Sequence, residues 1–264
     1  MEPLLLIDIG NTRVACGLFA NGKVVDRGHF DGFSQKELRA FLRGRKFYGC
    51  VFASVVPSGS DSLSAFWNAS GAGPLCRLNW TVVSKALKNK IKILCMEPGD
   101  DRAANAYLLR RQGLFPAVSV DVGTALTTEV LDKNGVFVGG LIAPGEILQR
   151  LSLRVHTAQL KDLQKKKAPK LFGSCSETAI SAGVEGLLTM GLMSWLSKME
   201  KEVLGERFRN IVFTGGGAEL YFREAKKIFK PAVLDPDFTL KALGLSFFDE
   251  DMRKLYEKKQ GVIF

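Results

Sequence analysis

Apolar and polar positions fall into short blocks at the start of the chain. Leu4 to Ile9 is an apolar run broken only at Asp8, and Gly10-Asn11 ends it. A second strand-like run covers Arg13 to Phe19, Asn21-Gly22 turns the chain, and a third run goes from Lys23 to about His29. Asn-Gly between two such runs is the strongest short-range signal of a β-hairpin. Further on, Ser34 and Glu37 have capping-box spacing, and Leu38, Phe41 and Leu42 continue one helical face. Cys50 to Val56 predicts a buried strand that Pro57 ends. Asp100 or Asp101 is placed to cap a helix reaching about Gln112, where Gly113 supplies the stop.

The same opening recurs later. Ala117 to Val122 is strand-like, Gly123-Thr124 interrupts it, and a second run continues towards Leu131. Asn134-Gly135 then turns the chain into Val136 to Leu141. Asp8 and Asn21 are 13 residues apart (21 − 8), and so are Asp121 and Asn134 (134 − 121). Two Asp-x-Gly strand ends, each followed by a polar turn and an Asn-Gly hairpin at one spacing, indicate an internal duplication. A helix after Pro144, a long helix from about Ser176 to Met199, a strand Asn210 to Thr214, the run Gly215-Gly216-Gly217 and a helix to about Phe229 complete the second half. Such alternation predicts an α/β fold of two duplicated domains, residues 1–115 and 116–264, with mixed sheets flanked by helices.

Composition narrows the class. A chain of 264 residues, 46% hydrophobic, buries about three-quarters of its unfolded surface and needs no staples. The start Met1-Glu2-Pro3 has no basic region of a signal peptide, and no apolar stretch reaches the ~18 residues of a membrane span. A cytoplasmic setting without a membrane partner is expected. Five widely spaced cysteines without a Cys-x-x-Cys predict reduced thiols, and two histidines argue against a histidine metal site. The net charge of +10 suits anionic ligands. Its densest stretch, Lys161 to Lys170, contains no aromatic residue, so it reads as a solvated loop and nucleic acid is not expected as a partner.

The candidate chemistry sits at the breaks. A glycine after an acidic residue lets backbone N–H groups approach a phosphate. Asn11 and Thr12 in one loop, and Thr124 and Thr127 in the other, add neutral donors. Asp8 and Asp121 repel phosphate directly and would act through a cation. Gly17 to Lys23 has P-loop spacing, but Val24 stands where Ser or Thr is required, and the segment spans a hairpin. Pro98-Gly99-Asp100-Asp101-Arg102 places two acids and an arginine at a helix start, where an Asp can take a hydroxyl proton and Arg102 can bind a carboxylate.

In this order the motifs resemble those of the type III pantothenate kinases of the actin-like, sugar-kinase-like superfamily. The resemblance rests on Asp8-Ile9-Gly10-Asn11-Thr12, Ser54-Val55-Val56-Pro57, Gly99-Asp100-Asp101-Arg102, Asp121-Val122-Gly123-Thr124-Ala125, Gly139 to Gly145, Thr214-Gly215-Gly216, and Asp235-Pro236 with Thr239-Leu240-Lys241. It implies two RNase H-like halves with ATP in the cleft between them, Mg2+, and a homodimer. The implied reaction is ATP-dependent phosphorylation of pantothenate, the first step towards coenzyme A. By position it makes Asp8, Ile9, Gly10, Asn11, Thr12, Arg13, Val14 and Ala15 a phosphate loop, with Thr124 a further ATP contact. Asp101 becomes the proton acceptor, Gly99, Asp100, Asp101, Arg102 and Ser176 touch pantothenate, Asp121 holds potassium or ammonium, and Asp8 holds Mg2+ through water. The chain departs from the family pattern at Ser176 (Thr in the family), at Lys92 to Met96 (no Tyr) and at His156 (Arg). Two other readings stay open: a kinase of another small alcohol, and a catalytically silent regulatory or nucleic-acid-binding homologue.

Overall fold

The computed structural model describes residues 2–70, 73–87, 97–160 and 171–264. The tyrosine-less stretch Lys92 to Met96 and the basic run Lys161 to Lys170 lie outside the described residues. The chain forms two compact units: Met1–Gly113, Val136–Val138 and Asp237–Phe264 in one, Leu114–Gly135 and Gly139–Pro236 in the other.

The first unit opens with β1 (Leu4–Ile9), β2 (Val14–Ala20) and β3 (Lys23–Phe30), followed by α1 (Gln35–Leu42), β4 (Cys50–Ser54), α2 (Pro57–Ser70), β5 (Leu75–Arg77), α3 (Trp80–Ala86) and α4 (Asp100–Gln112). Its sheet runs β3-β2-β1-β4-β5, with β1 antiparallel to β2 and parallel to β4. Leu5, Ile7 and Ile9 of β1, Val14 and Cys16 of β2, and Cys50 and Phe52 of β4 are buried and form a core with Leu38, Phe41, Leu63 and Trp67. Asn21 and Gly22 both have positive φ (52° and 75°), so the β2–β3 turn is the one that Asn-Gly predicts. The P-loop-like segment is β2 and this turn.

Two local expectations change. The strand expected through Val56 stops at Ser54, and Pro57 is instead the first residue of α2, where its missing N–H costs nothing. Neither Asp100 nor Asp101 caps α4; Gly99 holds the N-cap position without a side-chain bond, and Asp100 is already helical. The Asp100 side chain is drawn elsewhere, as described below.

The second unit repeats the scheme with β6 (Ala117–Val122), β7 (Ala125–Leu131), β9 (Ile142–Pro144) and α5 (Glu146–His156), while β8 (Phe137–Gly139) falls mostly among the first unit's residues. The expected strand through Leu141 is broken at Gly140, where a Cβ would collide with the Thr128 carbonyl. A continuous helix, Ser176–Leu204, contains α6 (Ser176–Ser181) and α7 (Leu188–Lys198) joined by a π-helical turn. Its 29 residues make it long and apolar enough to cross a membrane by length and composition alone, although Ser, Thr, Glu and Gly interrupt its apolar runs. Then come β10 (Asn210–Thr214), α8 (Ala218–Ile228) and β11 (Ala232–Leu234). β6 is antiparallel to β7 and parallel to β10, and β11 lies parallel beyond β10. This is the pairing of β1 with β2, β4 and β5, so the duplication read from spacing is a duplication of topology.

The chain then returns to the first unit with α9 (Phe238–Phe247) and α10 (Glu250–Gln260). Phe238, Leu240, Leu243 and Phe247 are buried, and Gly244 lets the Phe19 ring approach within van der Waals range. Thr239 Oγ1 donates to Asn105 Oδ1 at 2.9 Å, satisfying a fully buried amide on α4. The final 28 residues (264 − 236), taken with the second half on sequence order, thus pack with the first.

Candidate active site

Parallel pairing puts the C-terminal ends of β1 and β4 at the same end of the first sheet. At the β1 end, Asp8 pairs with Ala15 and Ile9 with Val14 across the hairpin. Gly10 N–H donates to Arg13 O at 3.0 Å, closing the loop around exposed Asn11, Thr12 and Arg13. Gly32 N–H donates to Thr12 O at 3.1 Å and ties that loop to the end of β3. Arg13 and Asp31 approach at 3.8 Å, but both are exposed, so the pair is weak. Ile9 and Val14 bury their side chains in the core and can meet a phosphate only through the backbone.

At the β4 end, Val55 N–H donates to Ile9 O at 3.1 Å, while Ser54 N–H donates to Asp100 Oδ2 at 3.2 Å. Ser54-Val55 therefore joins the Asp8 hairpin to the start of α4. Arg77, from β5, donates through Nε to the same Asp100 oxygen at 2.8 Å. Asp101 takes the other direction: its Oδ1 accepts the Arg102 N–H at 2.7 Å and lies over Gly99, where a Cβ would come within 2.7 Å of it. A side chain at 99 would also sit 2.9 Å from Val55 Cγ1, so any residue but glycine there displaces the Asp101 carboxylate or Val55. Burial raises the Asp101 carboxyl above its ordinary range, opposed by the Arg102 N–H and charge. Burial raises Asp100 as well; Arg77 and Ser54 N–H pull it back and Asp101 adds repulsion. A raised carboxyl beside a helix N-terminus is suited to accept a proton from a hydroxyl held there.

The second unit builds a comparable corner at the ends of β6 and β10, where Asp121 pairs with Thr214. Gly215 has φ +85°, and a Cβ there would lie 2.5 Å from Asp121 Oδ1 and 2.7 Å from Val122 O. Gly217 N–H donates to Val122 O at 2.9 Å and leads into α8. The Gly215-Gly216-Gly217 run thus lets its backbone close over the Asp121 strand end. Gly145 N–H donates to Thr124 O at 2.9 Å, and a Cβ on Gly145 would collide with Gly123 O, which makes Pro144-Gly145 a buttress for the Gly123-Thr124 turn. Ser176 is exposed at the first turn of α6, and Gly173 packs so closely on Ala179 that no side chain fits. His156 is the exposed last residue of α5.

The donors at both aspartates are hard oxygens, the kind that Mg2+ and potassium take. Among the described residues no three His, Cys, Asp or Glu side chains cluster to hold a metal by themselves. A cation bound largely by phosphate and water needs only one or two carboxylates, so Asp8 and Asp121 fit that role. Two participants escaped sequence reading, Arg77 and Gln260: their partners lie 23 and 183 residues away, and no local spacing marks such contacts.

The family model for type III pantothenate kinase matches residues 4–192. The chain belongs to the type III pantothenate kinase family. Relatives at full length agree. The type III pantothenate kinase of Dehalococcoides mccartyi is 30% identical over 264 residues, covering 93% of this chain and 97% of the relative. That of Agathobacter rectalis is 28% identical over 260 residues, covering 92% and 96%. Among solved structures, a conserved putative Baf family transcriptional activator from Campylobacter jejuni superposes with a TM-score of 0.60 at 18% identity, covering 98% of this chain and 100% of that one. The ethanolamine utilization protein EutJ of Carboxydothermus hydrogenoformans gives 0.54 at 14%, covering 93% and 90%. At these identities the likeness is one of fold. Every motif that carried the resemblance up to Gly145 lies within the matched stretch, while Thr214-Gly215-Gly216 and Thr239 to Lys241 lie beyond it.

Proposed function

We infer that this chain transfers the γ-phosphoryl group of ATP to the primary hydroxyl of pantothenate. The observation that carries the reading is Asp101, raised by burial and held over Gly99 at the helix start that Ser54-Val55 joins to the Asp8 hairpin. Asp101 orients the acceptor hydroxyl and takes its proton late, because phosphoryl transfer relies mainly on positioning and charge neutralisation. Arg102 receives the pantothenate carboxylate, and Ser176 offers a hydroxyl to the same substrate. Asn11, Thr12 and the backbone from Asp8 to Ala15 face phosphate, and Thr124 is a second ATP contact. Asp8 would hold Mg2+ through water and Asp121 potassium or ammonium; both cations neutralise phosphate charge. A homodimer finds support in α5, which buries none of its residues and exposes Ile147, Leu148, Leu151 and Val155.

The experiment is a coupled assay of ADP release from Mg-ATP, with and without pantothenate, in potassium, ammonium and sodium buffers. Pantothenate-dependent turnover that needs potassium or ammonium establishes the reaction and supports the cation role of Asp121. Folded protein that is silent in every buffer overturns the pantothenate reading, and a panel of small alcohols then identifies another acceptor.

A further inference from the structure

Asp100 and Asp101 are neighbours in sequence, yet their side chains do different things. Asp101 lies over Gly99, whereas Asp100 is almost wholly buried, its Oδ2 shared between Ser54 N–H (3.2 Å) and Arg77 Nε (2.8 Å). Arg77 also donates through Nη2 to Ser54 O at 3.3 Å. One guanidinium therefore holds β4 and the first turn of α4 together. Arg77 is itself held. The Gln260 side chain accepts the Arg77 N–H through Oε1 at 2.8 Å and donates through Nε2 to the Arg77 carbonyl at 2.6 Å. It caps both backbone groups of a residue on the edge strand β5. Successive side chains on a helix are about 100° apart around the axis, so pinning Asp100 also sets the direction of Asp101.

We propose that Arg77, anchored by Gln260, is the positioning residue of the acceptor turn: it fixes Asp100 and through it the direction of Asp101 and Arg102. This rests on the functional reading above, in which that turn receives pantothenate. In this role Arg77 acts through Asp100, not on substrate. Its effect passes through a buried carboxylate that, without the guanidinium, loses its charge partner and swings towards water.

The test compares wild type with Arg77→Ala, Arg77→Lys and Gln260→Ala on the full chain, measuring kcat, both KM values and Tm. Arg77→Ala is expected to lower kcat about thirtyfold and raise KM for pantothenate, with KM for ATP within about twofold. Arg77→Lys keeps charge and stem and is expected to recover kcat to within about fivefold of wild type. Gln260→Ala is expected to show the same split at about threefold, and with Arg77→Lys it decides the matter if Arg77→Ala does not fold. A folded Arg77→Ala with wild-type kcat overturns the positioning role and leaves the functional reading standing. So does a loss of kcat that merely tracks the folded fraction, with both KM values unchanged. A wild-type chain that leaves pantothenate untouched overturns the functional reading and the positioning role together.

Discussion

The hairpin at Asp8 and the hairpin at Asp121 share a strand order and an acidic strand end, but they are built to different tolerances. In the first, four residues connect β1 to β2, and the loop is held by two backbone bonds with its side chains exposed. In the second, two residues connect β6 to β7, Gly123 N–H closes on Ala125 O at 2.9 Å, and glycines at 145, 215 and 217 press on the turn. The turns further along differ too. Asn21-Gly22 is left-handed at both positions, whereas the turn ending at Gly135 has positive φ only at the glycine and is closed by Gly135 N–H to Asp132 O at 2.8 Å. Duplication preserved which strands pair. Close packing around one aspartate and an open loop at the other are what the copies acquired separately.

The largest effect is expected in the first unit, at Asp101. Asp101→Asn should fold and lose about a hundredfold or more in kcat, and wild-type turnover in that variant would remove Asp101 from the chemistry. The same variant makes a stability prediction of opposite sign. A carboxyl whose folded pKa lies above its unfolded value of 3.8 costs stability once both states ionise, and that cost vanishes as pH falls below 3.8. Asp101→Asn should therefore raise Tm at pH 7, with the gain shrinking towards pH 4. A Tm at or below wild type at pH 7 contradicts the burial account.

The next effect addresses the glycine packing directly. Gly215→Ala meets Asp121 and Val122 at a positive φ and should cost about 2 kcal/mol in urea unfolding. Gly10→Ala, whose Cβ meets only Arg13 O at 3.0 Å, should cost about half as much. Equal costs would erase the contrast between the two loops. Cation dependence separates the aspartates in turn. Asp8→Asn should raise the Mg2+ requirement about tenfold and keep potassium stimulation, while Asp121→Asn should do the reverse. The smallest effect concerns the turns: Asn21→Ala forces alanine into the left-handed region at about 1 kcal/mol, whereas Asn134→Ala should be nearly neutral.

Much of this was legible in the chain because it depends on near neighbours. The strands Leu4–Ile9, Ala117–Val122 and Asn210–Thr214, the Ser34 cap and the Gly113 stop follow from apolar runs and turn chemistry a few residues long. The candidate residues were legible as motifs, since Asp8 and Asp121 each sit two residues before a glycine. What escaped depends on distance along the chain. Asp100 reads as a helix cap, and only Arg77 and Ser54, brought in by β5 and β4, turn it inward. Gly145 and Gly215 stand out in the sequence only as small residues at turns, and their contacts with Gly123, Asp121 and Val122 show that they are packing surfaces. The return of α9 and α10 to the first unit left no mark in a pattern read from one end to the other.

That return also has a consequence for how the protein is made. Between Gly113 and Asp237 lie 123 residues (236 − 113), all synthesised before the first unit receives its last two helices. At ribosomal rates this is a wait of about 6 to 25 seconds, during which β1 and β2 have emerged but Phe238, Leu240 and Leu243 have not. The first unit therefore completes its core only after the whole of the second has been synthesised.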